Sequence, residues 1–127
     1  MKVAYVDTSC FVAIAFDEDG SRALAERLQR FDRLISSNLL EAEFAATLAR
    51  EAVKESPAGY LSHLDWIFPD RPLTPEYDRV LASGYVRGAD LWHLACALYL
   101  APTPEELHFI TLDQRQQKVA EAVGFVS

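Results

Sequence analysis

Short apolar runs alternate with stretches of helical periodicity along the chain. KVAYV (2–6) is strand-like and runs straight into Asp7. Thr8 or Ser9 is placed to cap a short helix over CFVAIAF, to about Phe16. DEDGS (17–21) reads as a turn, and Ser21 as the cap of a helix to about Arg30. RLIS (33–36) is a second short buried strand, after which Ser37 or Asn38 opens a long Ala-rich helix to about Glu55. Ser56-Pro57 has the form of a cap followed by a first helical residue, and Leu61, Leu64 and Ile67 continue at helical spacing. The turn-rich FPDRPL (68–73) leaves room for one short strand. Thr74-Pro75-Glu76 starts a helix that ends near Gly84. Asp90 to Leu100 is a helix with Leu91, Leu94, Ala95 and Leu98 on its apolar face. APTPEE is a loop, HFITL (108–112) a strand and Asp113 to Val123 a final helix, with Gly124 as its C-terminal cap and Phe125-Val126 as an edge strand.

Strands separated by helices need crossover connections. The pattern therefore predicts an α/β fold: a central parallel sheet of about four to five strands with helices on both faces. The 127 residues suit one domain over 1–127. Half the residues are hydrophobic and 24% are charged, a globular balance. No apolar run reaches the roughly 18 residues of a membrane span, and the first residues make a poor signal peptide, so the expected location is the cytoplasm. Cys10 and Cys96 sit among apolar neighbours with no metal-ligand spacing, which argues for buried free thiols and against zinc. The net charge of −7 is unusual for a nucleic-acid binder. If this chain is one, its acids are concentrated with a purpose and its arginines form a local track.

Two strands end in the same way, KVAYV in Asp7 and HFITL in Asp113. In an open parallel sheet ligands bind beyond the carboxyl ends of strands. A capping role explains either acid alone, and also Asp90, which follows Gly88-Ala89 at a helix start. His93, three residues after Asp90, is either a support for that acid or an ordinary packed residue. The Ala-rich helix offers Glu41 and Glu43, which face opposite ways. Glu43 shares a polar stripe with Thr47, Arg50 and Lys54, whereas Glu41 sides with Phe44, Leu48 and Ala52. A carboxylate that meets a cation and an anionic substrate fits the stripe, which favours Glu43. Four converging carboxylates repel one another, and hard divalent cations relieve that; all-oxygen donors select Mg²⁺ or Mn²⁺.

With VAYVDTSCFVA, ISSNLLEAEFAATLAR, VRGADLWHLACAL and FITLDQRQQKVAEAVGF in this order, the chain resembles the PIN domain family, in particular VapC-type toxins of bacterial toxin–antitoxin pairs. The resemblance implies a three-layer PIN-like fold and a metal-dependent endoribonuclease. It places the four family acids on Asp7, Glu43, Asp90 and Asp113, as metal-binding and catalytic residues for Mg²⁺, with Mn²⁺ as a substitute. Thr8, Ser9 and Thr111 are candidates to hold the carboxylates in place, and Arg50, Arg87 and Arg115 to contact RNA phosphates. Many relatives carry an acid or Asn one turn into the last helix, where this chain has Gln117, a departure that bears on a second metal ion.

The resemblance also implies a homodimer and a cognate antitoxin protein. FVAIAF and HLDWIFPDRPL, with Trp66, are richer in large apolar side chains than a small monomer needs. Two competing readings stand beside it. One is a PIN-like module that binds RNA or protein without catalysis. The other is an aspartyl-phosphate enzyme or receiver, which needs a lysine near the acid; the only lysines are Lys2, Lys54 and Lys118, and no D-x-D follows the first strand.

Overall fold

A computed structural model describes residues 1–127. Four strands, β1 (Val3–Val6), β2 (Arg33–Ser37), β3 (Leu64–Ile67) and β4 (His108–Ile110), form one parallel sheet in the order β3-β2-β1-β4. Seven helices flank it: α1 (Thr8–Ala15), α2 (Ser21–Gln29), α3 (Asn38–Arg50), α4 (Ala58–Leu61), α5 (Thr74–Ser83), α6 (Gly88–Leu100) and α7 (Gln114–Val123). No helix is long and apolar enough to cross a membrane.

The pleat of the central strands divides the core in two. Tyr5 and Phe109, register partners on β1 and β4, face the layer of α5, α6 and α7, where they pack with Val80, Leu94, Leu98 and Val119. Ala4, Val6 and Ile110 face the opposite way, against Phe11, Leu28, Leu40 and Phe44 of α1, α2 and α3. Tyr5 and Phe109 stack with ring centroids 5.4 Å apart and planes 6° from parallel. Both faces of the sheet are thus covered, which is why its strands read as continuous apolar runs. The α/β class, the parallel sheet and the helices on both faces are as the sequence predicts.

Several boundaries differ from expectation. The helix expected from Pro57 to Ile67 stops at Leu61, and residues 64–67 form β3 instead of any strand within 68–73. The spacing of Leu61, Leu64 and Ile67 imitates a helix, but Leu64 is buried in the sheet and Asp65 points outward, the alternation of a strand. α3 ends at Arg50 and not at Glu55, because Ala52 takes a left-handed φ of 55° that breaks the helix. α6 starts at Gly88, two residues before Asp90. Phe125 and Val126 add only a single parallel bridge, His108 to Val126, at the β4 edge.

From β1 the chain moves to β2 on one side, while β4 lies on the other. The sheet therefore changes direction between β1 and β4, and a crevice opens beyond their carboxyl ends. The amide of Asp7 donates to the Ile110 carbonyl at 3.2 Å, so the residue after β1 is tied to the end of β4.

Candidate active site

Asp7 leaves β1 at that crevice and is only 4% exposed. It stands at the N-cap position of α1, yet its carboxylate makes no capping hydrogen bond. Its Oδ1 accepts from Ser9 Oγ at 2.6 Å and its Oδ2 from Thr111 Oγ1 at 2.7 Å. Both partners are neutral hydroxyls, and neither is spent on Asp7 alone. Ser9 Oγ also accepts from the Leu112 amide, and Thr111 Oγ1 accepts from the Asp113 amide, both at 3.0 Å. The hydroxyls thus lock Asp7 to the segment that follows β4. Burial pushes the Asp7 carboxyl above its usual range, against the lowering effect of these hydrogen bonds and of His93.

Glu43 arrives from the second turn of α3. Its Oε1 accepts from Thr8 Oγ1 at 2.8 Å and pairs with His93 Nε2 at 2.9 Å. The other ring nitrogen, Nδ1, lies 2.7 Å from the hydroxyl of Tyr5, which also accepts from the Ser37 amide at 3.3 Å. Hydrogen-bond accounting orders this chain: the Tyr5 phenol donates to Nδ1, and the Nε2–H donates to Glu43. The hydrogen bond from His93 holds the Glu43 carboxyl below its ordinary range; burial opposes it and Thr8 assists. Of the two acids in this helix, Glu43 faces the crevice, while Glu41 is exposed beside Asn38, Ser56 and Pro57.

Asp90, in the first turn of α6, accepts no side-chain hydrogen bond and is not the cap, which is Arg87. Burial raises its carboxyl above the usual range, and Asp113, Asp7 and Glu43 add to the rise by repulsion, with His93 opposing. Asp113 is exposed and does serve as a cap: its Oδ1 accepts from the Gln116 amide at 2.9 Å. Glu43, Asp90 and Asp113 line one cleft of about 540 Å³ together with Tyr85, Arg87, Ala89 and Arg115. Asp7 lies behind it and is felt there electrostatically through Asp90. Capping therefore accounts for Asp113 but not for Asp7 or Asp90.

Of the arginines, Arg87 and Arg115 border the cleft, and Arg50 does not. Its Nε pairs with Glu51 at 3.1 Å in a separate depression beside Val12, Phe16 and Glu18. The stripe from Glu43 leads away from the crevice at Thr47, whose hydroxyl turns back to the Glu43 carbonyl at 2.9 Å. Gln117 likewise points along its own helix to Glu121.

Two supporting residues escaped prediction. Gln116 is fully buried; its Oε1 lies 3.1 Å from Thr111 Oγ1 and its Nε2 3.4 Å from the Asp90 carbonyl, so it ties α6 to the end of β4. Nothing in DQRQQ marks the first of the paired glutamines over its neighbour, because only the rotation of α7 turns it inward. Tyr5, hidden in an apolar strand, gave no sign that its hydroxyl reaches His93. Every buried side-chain polar atom has a partner, so the network closes without an orphan.

The donor set is all oxygen, and no Lys or Arg is paired with any of these four acids; the one nitrogen side chain within reach is His93, hydrogen-bonded to Glu43. No three acidic, histidine or cysteine side chains are arranged to enclose one ion. The carboxylates line an open cleft, which suits Mg²⁺: this ion takes one or two carboxylates and keeps several waters. The chain belongs to the PIN domain family, whose match covers residues 4–122. PIN domains are generally nucleases and typically bind divalent metals. A comparison with curated proteins gives no match.

Proposed function

We propose that this chain is a Mg²⁺- or Mn²⁺-dependent endoribonuclease and the toxin of a type II, VapC-like pair. The observation that carries the nuclease reading is the gathering of Glu43, Asp90 and Asp113 in one cleft next to the buried Asp7, with no Lys or Arg paired to any of the four. Such an arrangement is sensible where a divalent ion supplies the missing charge.

Asp7 and Asp90 would hold the ion, with Glu43 and Asp113 completing its surroundings. When bound, the ion would polarise a phosphate oxygen and make an attacking water more acidic. Ser9 and Thr111 fix the two oxygens of Asp7, so that acid does not reorient during the reaction. Glu43, held below its ordinary range by His93 with help from Thr8, is suited to orient the water. Arg87 and Arg115 would hold the phosphates on either side. The test is cleavage of single-stranded RNA in Mg²⁺ by the wild type and by Asp7→Asn. Equal cleavage by the two rejects the reading.

The toxin assignment and the expected homodimer rest on the resemblance of the four sequence blocks. Exposed Phe68 (64%) and Leu81 (44%) provide apolar surface for a second copy or an antitoxin. Growth arrest on expression, relieved by the product of an adjacent short gene, is the expected result. The competing reading is a catalytically silent binding module. It predicts RNA binding without cleavage in any divalent metal.

A further inference from the structure

The link between α5 and α6, residues 84–87, displays an aromatic ring at the mouth of the acidic cleft. Tyr85 is 67% exposed, whereas the next residue, Val86, is 3% exposed in the core beside α7. Arg87 is exposed again and lines the cleft with Tyr85. The link is held firmly: a Cβ on Gly84 would come within 2.9 Å of Val119 Cγ2, so only glycine lets the backbone lie this close to α7. Tyr85 is thus presented from an anchored segment and is not a loose loop side chain.

No aromatic contact in the molecule involves Tyr85, and no ion pair uses Arg87 or Arg115. Leaving a tyrosine ring in water forgoes the gain of burying it. Tyr85 and Ala89 are the only hydrophobic residues among the seven that line the cleft. That composition is a poor seat for an apolar protein segment. A free ring flanked by two free guanidinium groups matches a single strand of nucleic acid, which offers π-faces and phosphates in alternation. A duplex hides those faces by stacking.

We propose that Tyr85 is the stacking platform for an unpaired base of single-stranded RNA next to the cleaved phosphate, with Arg87 and Arg115 on the flanking phosphates. The proposal rests on the nuclease reading above and adds the part of the substrate that is gripped. Binding of a short single-stranded RNA carrying 2-aminopurine is measured in the Asp7→Asn background, and KM for cleavage in the otherwise wild-type chain. Tyr85→Ala should weaken binding and raise KM about tenfold, with kcat little changed, and should abolish the quenching of 2-aminopurine at one position. Tyr85→Phe and Tyr85→Trp should keep both.

Unchanged binding in Tyr85→Ala overturns the proposal, as does a loss of equal size in Tyr85→Phe, since that would make the hydroxyl the contact. A change of oligomeric state in Tyr85→Ala with RNA binding intact also overturns it and marks the ring as a protein contact. If the wild-type chain neither binds nor cleaves RNA, the nuclease reading falls as well. If it cleaves and Tyr85→Ala is indifferent, only the stacking platform falls.

Discussion

The two halves of the acidic crevice are built in opposite ways. On the β1 side, every oxygen of Asp7 and one oxygen of Glu43 is held by hydroxyls or His93. On the α6–α7 side, Asp90 accepts no side-chain hydrogen bond, and Asp113 is exposed and joined only to the backbone of its own helix. One half is fixed before any ligand arrives; the other is left with unbalanced charge. The contrast suggests a division of labour, in which the held acids offer a cation oxygens in fixed positions and the free acids adjust to it.

The sharpest way to break this comparison is to neutralise one acid in each half. Asp7→Asn should lower RNA cleavage by at least ~10²-fold, the scale on which loss of a preorganised electrostatic group acts. Asp113→Asn should cost less, because Asn also caps helices and Asp113 stands in solvent. Equal losses in steady-state cleavage assays would remove the distinction.

Replacing His93 tests whether the held half is really held through Tyr5 and Glu43. His93→Leu keeps the volume but removes the acceptor for the Tyr5 hydroxyl and a donor to Glu43. Leaving such groups unpaired should cost about 1–3 kcal/mol in urea unfolding. The pH profile should change as well. The Glu43 carboxyl is held below its ordinary value, so it contributes stability above that value, lost as pH falls through the depressed one. In His93→Leu that acid-side loss should shrink. A smaller cost of ~1 kcal/mol is expected for Thr111→Val, which removes the donor to Asp7 Oδ2 and the acceptor for the Asp113 amide.

Much of this was legible in the sequence, for a physical reason. A buried strand that ends on a carboxylate is a conflict that shows in one dimension, and it marked Asp7; the same reading also pointed to Asp113, although β4 ends at Ile110 and Asp113 is an exposed helix cap with no such conflict. Glu43 was separable from Glu41 because helical rotation alone decides which face each takes. The same stripe misled for Arg50: two turns beyond Glu43 the helix has left the crevice, and a stripe carries no information about where its neighbour ends. β3 was missed because four residues, LDWI, are too few to distinguish a strand's alternation from a helix's spacing. His93 was seen but not assigned, since its partner Tyr5 lies 88 residues away and only the register of β1 against α6 brings them together.

The smallest expected effect is also the one that reads the free half directly. The Asp90 carboxyl is raised by burial and by three neighbouring acids, and Asp7 is raised by burial. Groups whose folded value lies above the unfolded one bind protons more readily in the folded protein. They favour folding at low pH, and that contribution is lost as pH rises through the raised values. Metal-free protein should therefore gain stability as pH is lowered from neutral toward the ordinary carboxylate range. Asp90→Asn should be slightly more stable than the wild type at neutral pH, by under ~1 kcal/mol given that the group is partly open to solvent, and the gap should narrow in high salt. Added Mg²⁺ should reverse the order, since ligand binding stabilises the folded wild type by mass action and the variant has lost a ligand. Chemical unfolding in chelator and in Mg²⁺ measures both signs. If Asp90→Asn is destabilised in chelator, the carboxylate is a structural group, and the α6 side of the crevice is no freer than the β1 side.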